Sequence, residues 1–99
     1  MNNYNVFICI DDNDNIANLS DCSKIIVYDL VENKTVDSIE FRNRFDIDLI
    51  EIYIDKYDPK LFFTCMESRS DLIDSIEEYG IHVYLVNCPV KYLDLLNNI

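Results

Sequence analysis

Several residue types are scarce in this sequence. It has no tryptophan, one glycine, two prolines and one histidine among 99 residues. So little glycine and proline excludes collagen-like and linker-like chains, and 49% hydrophobic residues argue against disorder. No apolar run reaches the roughly 18 residues of a membrane span, and no basic region precedes the first apolar run, so no secretory signal is expected. We therefore expect a single cytoplasmic domain over residues 1–99.

Basic residues are also few. Eight Lys and Arg face nineteen Asp and Glu, which gives a formal net charge of −11. Nucleic acids and anionic membranes need a cationic surface on their partner, so neither is expected to bind this chain. The acidic balance itself indicates solubility rather than a particular partner, and the oligomeric state cannot be read from it.

Five segments have the composition of β-strands, being short, apolar and rich in branched residues. They are residues 6–10, 24–30, 35–41, 61–65 and 81–86. The first is apolar throughout, which predicts a strand buried on both faces. The second and third are joined by the turn residues Glu32, Asn33 and Lys34, which predicts a hairpin.

Three segments are predicted to form helices. Residues 46–57 fit both helical and strand periodicity, and the length of the segment and its end at Asp58-Pro59 favour a helix. Ser68 or Ser70 is expected to cap a second helix, which ends before Gly80. Pro89 is expected to open the third. The predicted apolar faces are Leu72, Ile73, Ile76 and Tyr79 in the second helix, and Tyr92, Leu93, Leu96 and Ile99 in the third.

This succession predicts an α/β domain. The strand-helix-strand unit of the second half requires parallel strands and a right-handed crossover. We expect a five-stranded mixed sheet in the order 3-2-1-4-5, with strand 2 antiparallel and helices flanking the sheet.

Two stretches resemble the dinitrogenase iron–molybdenum cofactor biosynthesis family, the NifX-like proteins. They are CIDDNDNIANLSDCSKIIVYDL, with its strand ending in Tyr28-Asp29, and LFFTCMESRSDLIDSIEEYGIHVYLV. Counted back from Tyr28, the family's loop histidine falls on Asn18. In the second stretch, the family's glycine-rich loop falls on residues 66–69. The resemblance implies a three-layer ribonuclease H-like fold that binds an iron–sulfur or molybdenum-containing cluster, with cluster-assembly or acceptor proteins as partners.

The four cysteines are expected to be free thiols, because no secretory signal is apparent. Cys9 belongs to the core. Cys22 lies in the loop after strand 1, Cys65 ends strand 4 and Cys88 follows strand 5. The carboxyl ends of these strands share one edge of the predicted sheet, where ligands of open α/β sheets bind. Soft thiolates suit iron–sulfur clusters, copper(I) and zinc. These three cysteines are therefore the candidate cluster ligands, and Asn18 and Ser68 line the neighbouring loops. The alternative is that the cysteines are buried and inert.

A second candidate is an acidic metal site. Ribonuclease H-like nucleases hold Mg²⁺ with carboxylates near the strand ends, and the acidic residues available here are Asp11, Asp12, Glu67 and Asp71. A nuclease also needs a cationic path for its substrate, which the net charge opposes. The alternative is that these residues are solvated turn and cap residues.

A third candidate is an anion pocket where the second helix begins. Ser68, Arg69 and Ser70 there could complement a phosphate or a cluster, or a serine could simply cap the helix. His82, the single histidine, is interpreted as a structural strand residue.

The leading hypothesis is therefore a non-catalytic carrier of a metal–sulfur cluster. The second is a divergent family member that has lost the cofactor and acts as a protein-interaction module, through an apolar patch or a free sheet edge. A Mg²⁺-dependent nuclease is the remote third.

Overall fold

The computed structural model describes residues 4–42, 45–66 and 70–98. In this part of the chain the strands are β1 Asn5–Ile10, β2 Lys24–Asp29, β3 Lys34–Glu40, β4 Leu61–Cys65 and β5 His82–Val86. They form one sheet in the order β3-β2-β1-β4-β5. Strands β1, β4 and β5 are parallel, and β2 is antiparallel to both of its neighbours. The expected α/β fold, strand order and direction of strand 2 are confirmed.

The described helices are α1 Ile47–Tyr57, α2 Ser70–Glu77 and α3 Tyr92–Asn97, with a short 3₁₀ turn at Leu19–Asp21. The ambiguous segment 46–57 is a helix, as predicted. The Asp46 side chain accepts hydrogen bonds from the backbone N–H groups of Asp48 and Leu49, and Asp58 ends the helix in the left-handed conformation. None of the described helices is long and apolar enough to cross a membrane.

The third helix differs from the prediction, because it begins at Tyr92 and not at Pro89. The preceding backbone is held extended against the β1–β2 connection. The Ile16 N–H donates to the Val90 carbonyl at 2.8 Å, and the Tyr92 N–H donates to the Asp14 carbonyl at 3.0 Å. The expected apolar face is also partly wrong, since Leu93 is 57% exposed; Ile99 lies outside the described residues.

The two faces of the sheet carry separate core clusters, which we name after the helices that cover them. On the α1/α2 face, Phe7, Phe62 and Ile76 are among the buried residues. On the α3 face, Ile8 and Phe63 are buried, and half-buried α3 residues pack against them. Every residue of β1 is buried. The expectation that β1 is covered on both faces is therefore confirmed.

Helix α1 is fastened to the edge strand β3 by a side-chain hydrogen bond. The Tyr57 hydroxyl donates to the Asp37 carboxylate at 2.6 Å. This bond, assisted by the Ser38 backbone N–H, lowers the pKa of Asp37 below its usual range. The same hydrogen bond raises the pKa of Tyr57.

We expect Tyr57→Phe to lower the free energy of unfolding by about 1 kcal/mol at pH 7, the net value of one such hydrogen bond. Because Asp37 has a lower pKa in the folded state, its contribution is present above roughly pH 4 and is lost as the pH falls through the folded pKa. The raised pKa of Tyr57 gives the opposite pH dependence, so the stability contributed by this hydroxyl is lost as the pH rises through the folded pKa of Tyr57. Urea unfolding of the wild type and of Tyr57→Phe at descending pH tests this prediction. The difference between their free energies of unfolding should shrink in acid, and a difference that stays constant contradicts the role given to the Asp37 carboxylate.

Candidate functional site

The crevice between β1 and β4, where the sequence analysis places a ligand, is filled by the chain itself. The β1–β2 connection inserts Ile16, Ala17 and Leu19, which are 2%, 6% and 0% exposed. The Ala17 N–H donates to the Cys9 carbonyl at 3.0 Å, and the Ala17 carbonyl accepts from the Thr64 hydroxyl at 2.7 Å. The insertion therefore joins the ends of β1 and β4 and occupies the place between them.

All four cysteines are paired, so the expectation of free thiols is wrong. The disulfides join Cys65 to Cys88 and Cys9 to Cys22, with Cα–Cα distances of 5.8 Å and 5.6 Å. The parallel strands β4 and β5 end at the same edge of the sheet, which brings Cys65 close to Cys88, two residues after the end of β5.

The three proposed thiolate ligands do not come together. Cys65 and Cys88 are neighbours, as predicted, and both belong to the cluster on the α3 face. Cys22 is buried with Cys9 on the opposite, α1/α2 face. Cysteine binds metals as the thiolate, and a disulfide sulfur does not carry the thiolate's negative charge. The oxidised protein therefore offers no thiolate at this edge of the sheet.

The two loop residues proposed beside the thiols have different outcomes. Asn18 is half-buried in the β1–β2 connection, and its Oδ1 atom is buried without a hydrogen-bond partner among the described residues. Ser68 lies outside the described residues. Together they do not define a cluster site.

The acidic candidate has a structural explanation at Asp11. One carboxylate oxygen of Asp11 accepts hydrogen bonds from the backbone N–H groups of Asn13 and Asn15, at 2.8 Å and 3.0 Å. This is the turn role named as the alternative. Glu67 lies outside the described residues. Within residues 4–42, 45–66 and 70–98, no three His, Cys, Asp or Glu side chains are grouped so that they could hold a metal ion.

The anion-pocket candidate is described in part. Ser70 is the first residue of α2 and is exposed, whereas Ser68 and Arg69 lie outside the described residues. His82 is an exposed residue of β5, in agreement with its prediction as a strand residue.

Tyr28-Asp29, one of the motifs that carry the family resemblance, organises the hairpin. Asp29 is buried, and its Oδ1 atom accepts from the backbone N–H groups of Tyr4, Val31 and Glu32. These contacts fix the turn after β2 and hold the start of β1. In this chain the motif therefore has a structural role.

An open groove of about 860 Å³ lies where β3 ends and α1 begins. Its lining combines apolar side chains, among them the ring pair Phe41 and Phe45, with carboxylates and the Arg42 guanidinium. Asp46, on its rim, caps α1. The described lining of the groove includes none of the predicted site residues.

The outer side of β5 is an open sheet edge, since β5 is the last strand in the sheet order. The His82 N–H donates to the Lys60 carbonyl at 3.3 Å, and the Val86 carbonyl accepts from the Met66 N–H at 3.0 Å. Backbone groups alternate in direction along a strand, so those of Val83 and Leu85 point away from β4. No described strand pairs with that side.

The side chains of β5 suit an edge that pairs with another strand. Tyr84 and Leu85 are 51% and 41% exposed and lie on opposite faces of the sheet. The Tyr84 ring lies 5.4 Å from the Phe63 ring, between centroids. Residues 79–90 contain no Asp, Glu, Lys or Arg. Edge strands usually carry charges, proline or bulges that prevent pairing, and β5 has none of them.

The opposite edge strand, β3, is protected. It carries Lys34, Asp37 and Glu40, and its pairing with β2 has an irregularity between Val27 and Tyr28. The contrast singles out β5, whose Tyr84 and Leu85 were not among the predicted site residues. The signal that could have found them is the uncharged run of residues 79–90 in a highly charged chain.

The chain matches no family model, no curated protein and no solved structure. The resemblance to the NifX-like proteins therefore stays a prediction.

Proposed function

We propose that this protein is a non-catalytic interaction domain that binds other polypeptides by adding a strand to the outer edge of β5. The observation that carries the proposal is the unprotected edge itself: an uncharged strand with exposed Tyr84 and Leu85. Strand addition is a recurrent mode of peptide recognition, in which backbone hydrogen bonds give affinity and alternate side chains give specificity.

The outward backbone groups define the contact. Val83 and Leu85 each present one N–H and one C=O group to an added strand. On one face the added strand would pack against Tyr84 and Phe63, whose rings are already in contact. On the other it would cover Leu85. The edge thus combines directional hydrogen bonds with apolar contact on both faces.

The charge of the domain restricts the chemistry of the added strand. With a net charge of −11, the domain repels acidic segments. We therefore expect an extended segment with apolar side chains at alternating positions and no acidic residues.

Selection from a library of random heptapeptides tests the proposal. We expect enrichment of extended apolar sequences that lack Asp and Glu. Methylating the backbone nitrogens of an enriched peptide one at a time should weaken binding at every second position, because only alternate N–H groups face β5. No enrichment, or binding insensitive to backbone methylation, would exclude strand addition.

Leu85→Pro provides the matched variant on the protein. Proline removes the outward N–H of Leu85 and leaves the hydrogen bonds between β5 and β4 intact. An edge strand tolerates proline at a position whose N–H faces solvent. We expect peptide binding to be lost in Leu85→Pro and largely kept in Leu85→Ala. Circular dichroism checks that both variants fold.

Cluster binding, the function implied by the family resemblance, remains a prediction. The pairing of all four cysteines weighs against it, since a cluster would first require their reduction. A cytoplasmic location also remains a prediction, and the two disulfides favour an oxidising compartment.

A further inference from the structure

We infer that the strand added to β5 is β5 of a second copy of this chain, antiparallel to the first and related to it by a two-fold axis at Tyr84. The inference rests on the proposed function and names the occupant of the same edge. β5 itself meets the description of the added strand, because it is extended, apolar and free of acidic residues.

The backbone groups of β5 are complementary to themselves in this register. Val83 and Leu85 lie one residue to either side of Tyr84. The backbone N–H and C=O groups of both residues point away from β4. In an antiparallel pair centred on Tyr84, Val83 of each copy lies opposite Leu85 of the other. Two residues so placed exchange N–H···O bonds in both directions. All the outward backbone groups of both residues are then paired, and the two sheets become one.

The side chains match in the same register. The two Tyr84 side chains lie opposite each other on the α3 face, each beside its own Phe63. On the other face, Leu85 of one copy packs against Val83 of the second. Tyr84 and Leu85, the exposed apolar side chains of β5, are therefore both covered. Aromatic and aliphatic cross-strand pairs of this kind stabilise sheets.

The charge distribution favours this edge over the rest of the surface for contact between copies. Each copy carries a net charge of −11, but residues 79–90 hold no Asp, Glu, Lys or Arg. Charges elsewhere are screened over a Debye length of about 8 Å at physiological ionic strength. Because the contact involves one strand of five residues, we expect the dimer to be reversible.

Sedimentation velocity over a range of protein concentrations tests the inference. The expected result is a rise from a mass of 11.7 kDa towards twice that value as the concentration increases. Leu85→Pro should stay monomeric, and Leu85→Ala should still associate because its backbone is intact. A wild-type protein that stays monomeric at millimolar concentration, or a Leu85→Pro variant that associates equally well, overturns the inference.

Charge pairing at Tyr84 tests the register independently. Across the two-fold axis, Tyr84→Lys places two ammonium groups face to face, and Tyr84→Glu places two carboxylates there. Each variant alone should therefore be monomeric, whereas an equimolar mixture should form a heterodimer. A mixture that stays monomeric, or single variants that dimerise as well as the wild type, contradicts the two-fold axis at Tyr84.

The peptide selection separates this inference from the proposed function. If selected peptides bind at β5 while the wild-type protein stays monomeric, strand addition stands and the second copy is excluded as the occupant. If the protein associates but Leu85→Pro has no effect on either association or peptide binding, both proposals fail.

Discussion

Leu19→Ala is expected to lower the free energy of unfolding by about 3 kcal/mol, the usual cost of truncating a fully buried leucine. Leu19 lies outside the regular strands, in the 3₁₀ turn of the β1–β2 connection, yet it is 0% exposed. It fills the sheet end where the sequence predicted a ligand. The loss should appear in urea unfolding and as a fall of roughly 10–25 °C in Tm for a domain of this size.

The matched control is Leu93→Ala on α3. Leu93 is 57% exposed, so the same truncation there should change stability by less than about 0.5 kcal/mol. The comparison separates a permanent core segment from a lid that opens for a ligand. A Leu19→Ala variant as stable as Leu93→Ala would show that residues 15–19 contribute little to the core, and the crevice would again be a candidate binding site.

The strand order could be predicted because local and global signals agree. The apolar run at the start of the chain predicted a strand covered on both faces, and every residue of β1 is buried. Asp58 ended α1 as expected, and Gly80 adopts the positive φ of 82° that a residue after a helix often needs. Periodicity and turn chemistry are properties of neighbouring residues, so one sequence is enough to identify them.

The closed crevice was not predictable in the same way. Ile16 and Ala17 are adjacent, Asn18 separates them from Leu19, and polar residues flank the three, so the segment has no strand or helix period. It becomes part of the core only because the ends of β1 and β4 accept its backbone and side chains. Such contacts join residues far apart in the chain, and local patterns contain no information about them.

The cysteine pairing likewise depends on which face of the sheet each residue occupies. Four cysteines allow three pairings, and their spacing selects none of them. Cys9 and Cys65 lie near the carboxyl ends of the neighbouring strands β1 and β4, but they belong to clusters on opposite faces of the sheet. The shared edge suggested one site for Cys22, Cys65 and Cys88. In the structure Cys65 and Cys88 lie on the α3 face, and Cys22 lies on the α1/α2 face.

Removing the Cys65–Cys88 disulfide is expected to lower the free energy of unfolding by about 3 kcal/mol, the value for closing a loop of this length in the unfolded chain. The two cysteines are separated by 23 positions and are the covalent tie between β4 and the segment that leads into α3. We expect helix α3 to depend on this tie, because the helix is six residues long and none of its residues is fully buried. The loss should therefore be accompanied by faster amide exchange in α3.

The double variant Cys65→Ala, Cys88→Ala measures the effect by urea unfolding, with the wild type in the presence and absence of a dithiol reductant as the comparison. Reductant should destabilise the wild type more than the double variant, which retains only the Cys9–Cys22 bridge. Thiol titration of the unfolded, unreduced wild type should find no free thiols, and titration after reduction should find all four cysteines. Free thiols before reduction would contradict the pairing. They would also restore Cys65 and Cys88 as thiolate ligands on the α3 face, whereas Cys22 would still lie on the opposite face of the sheet.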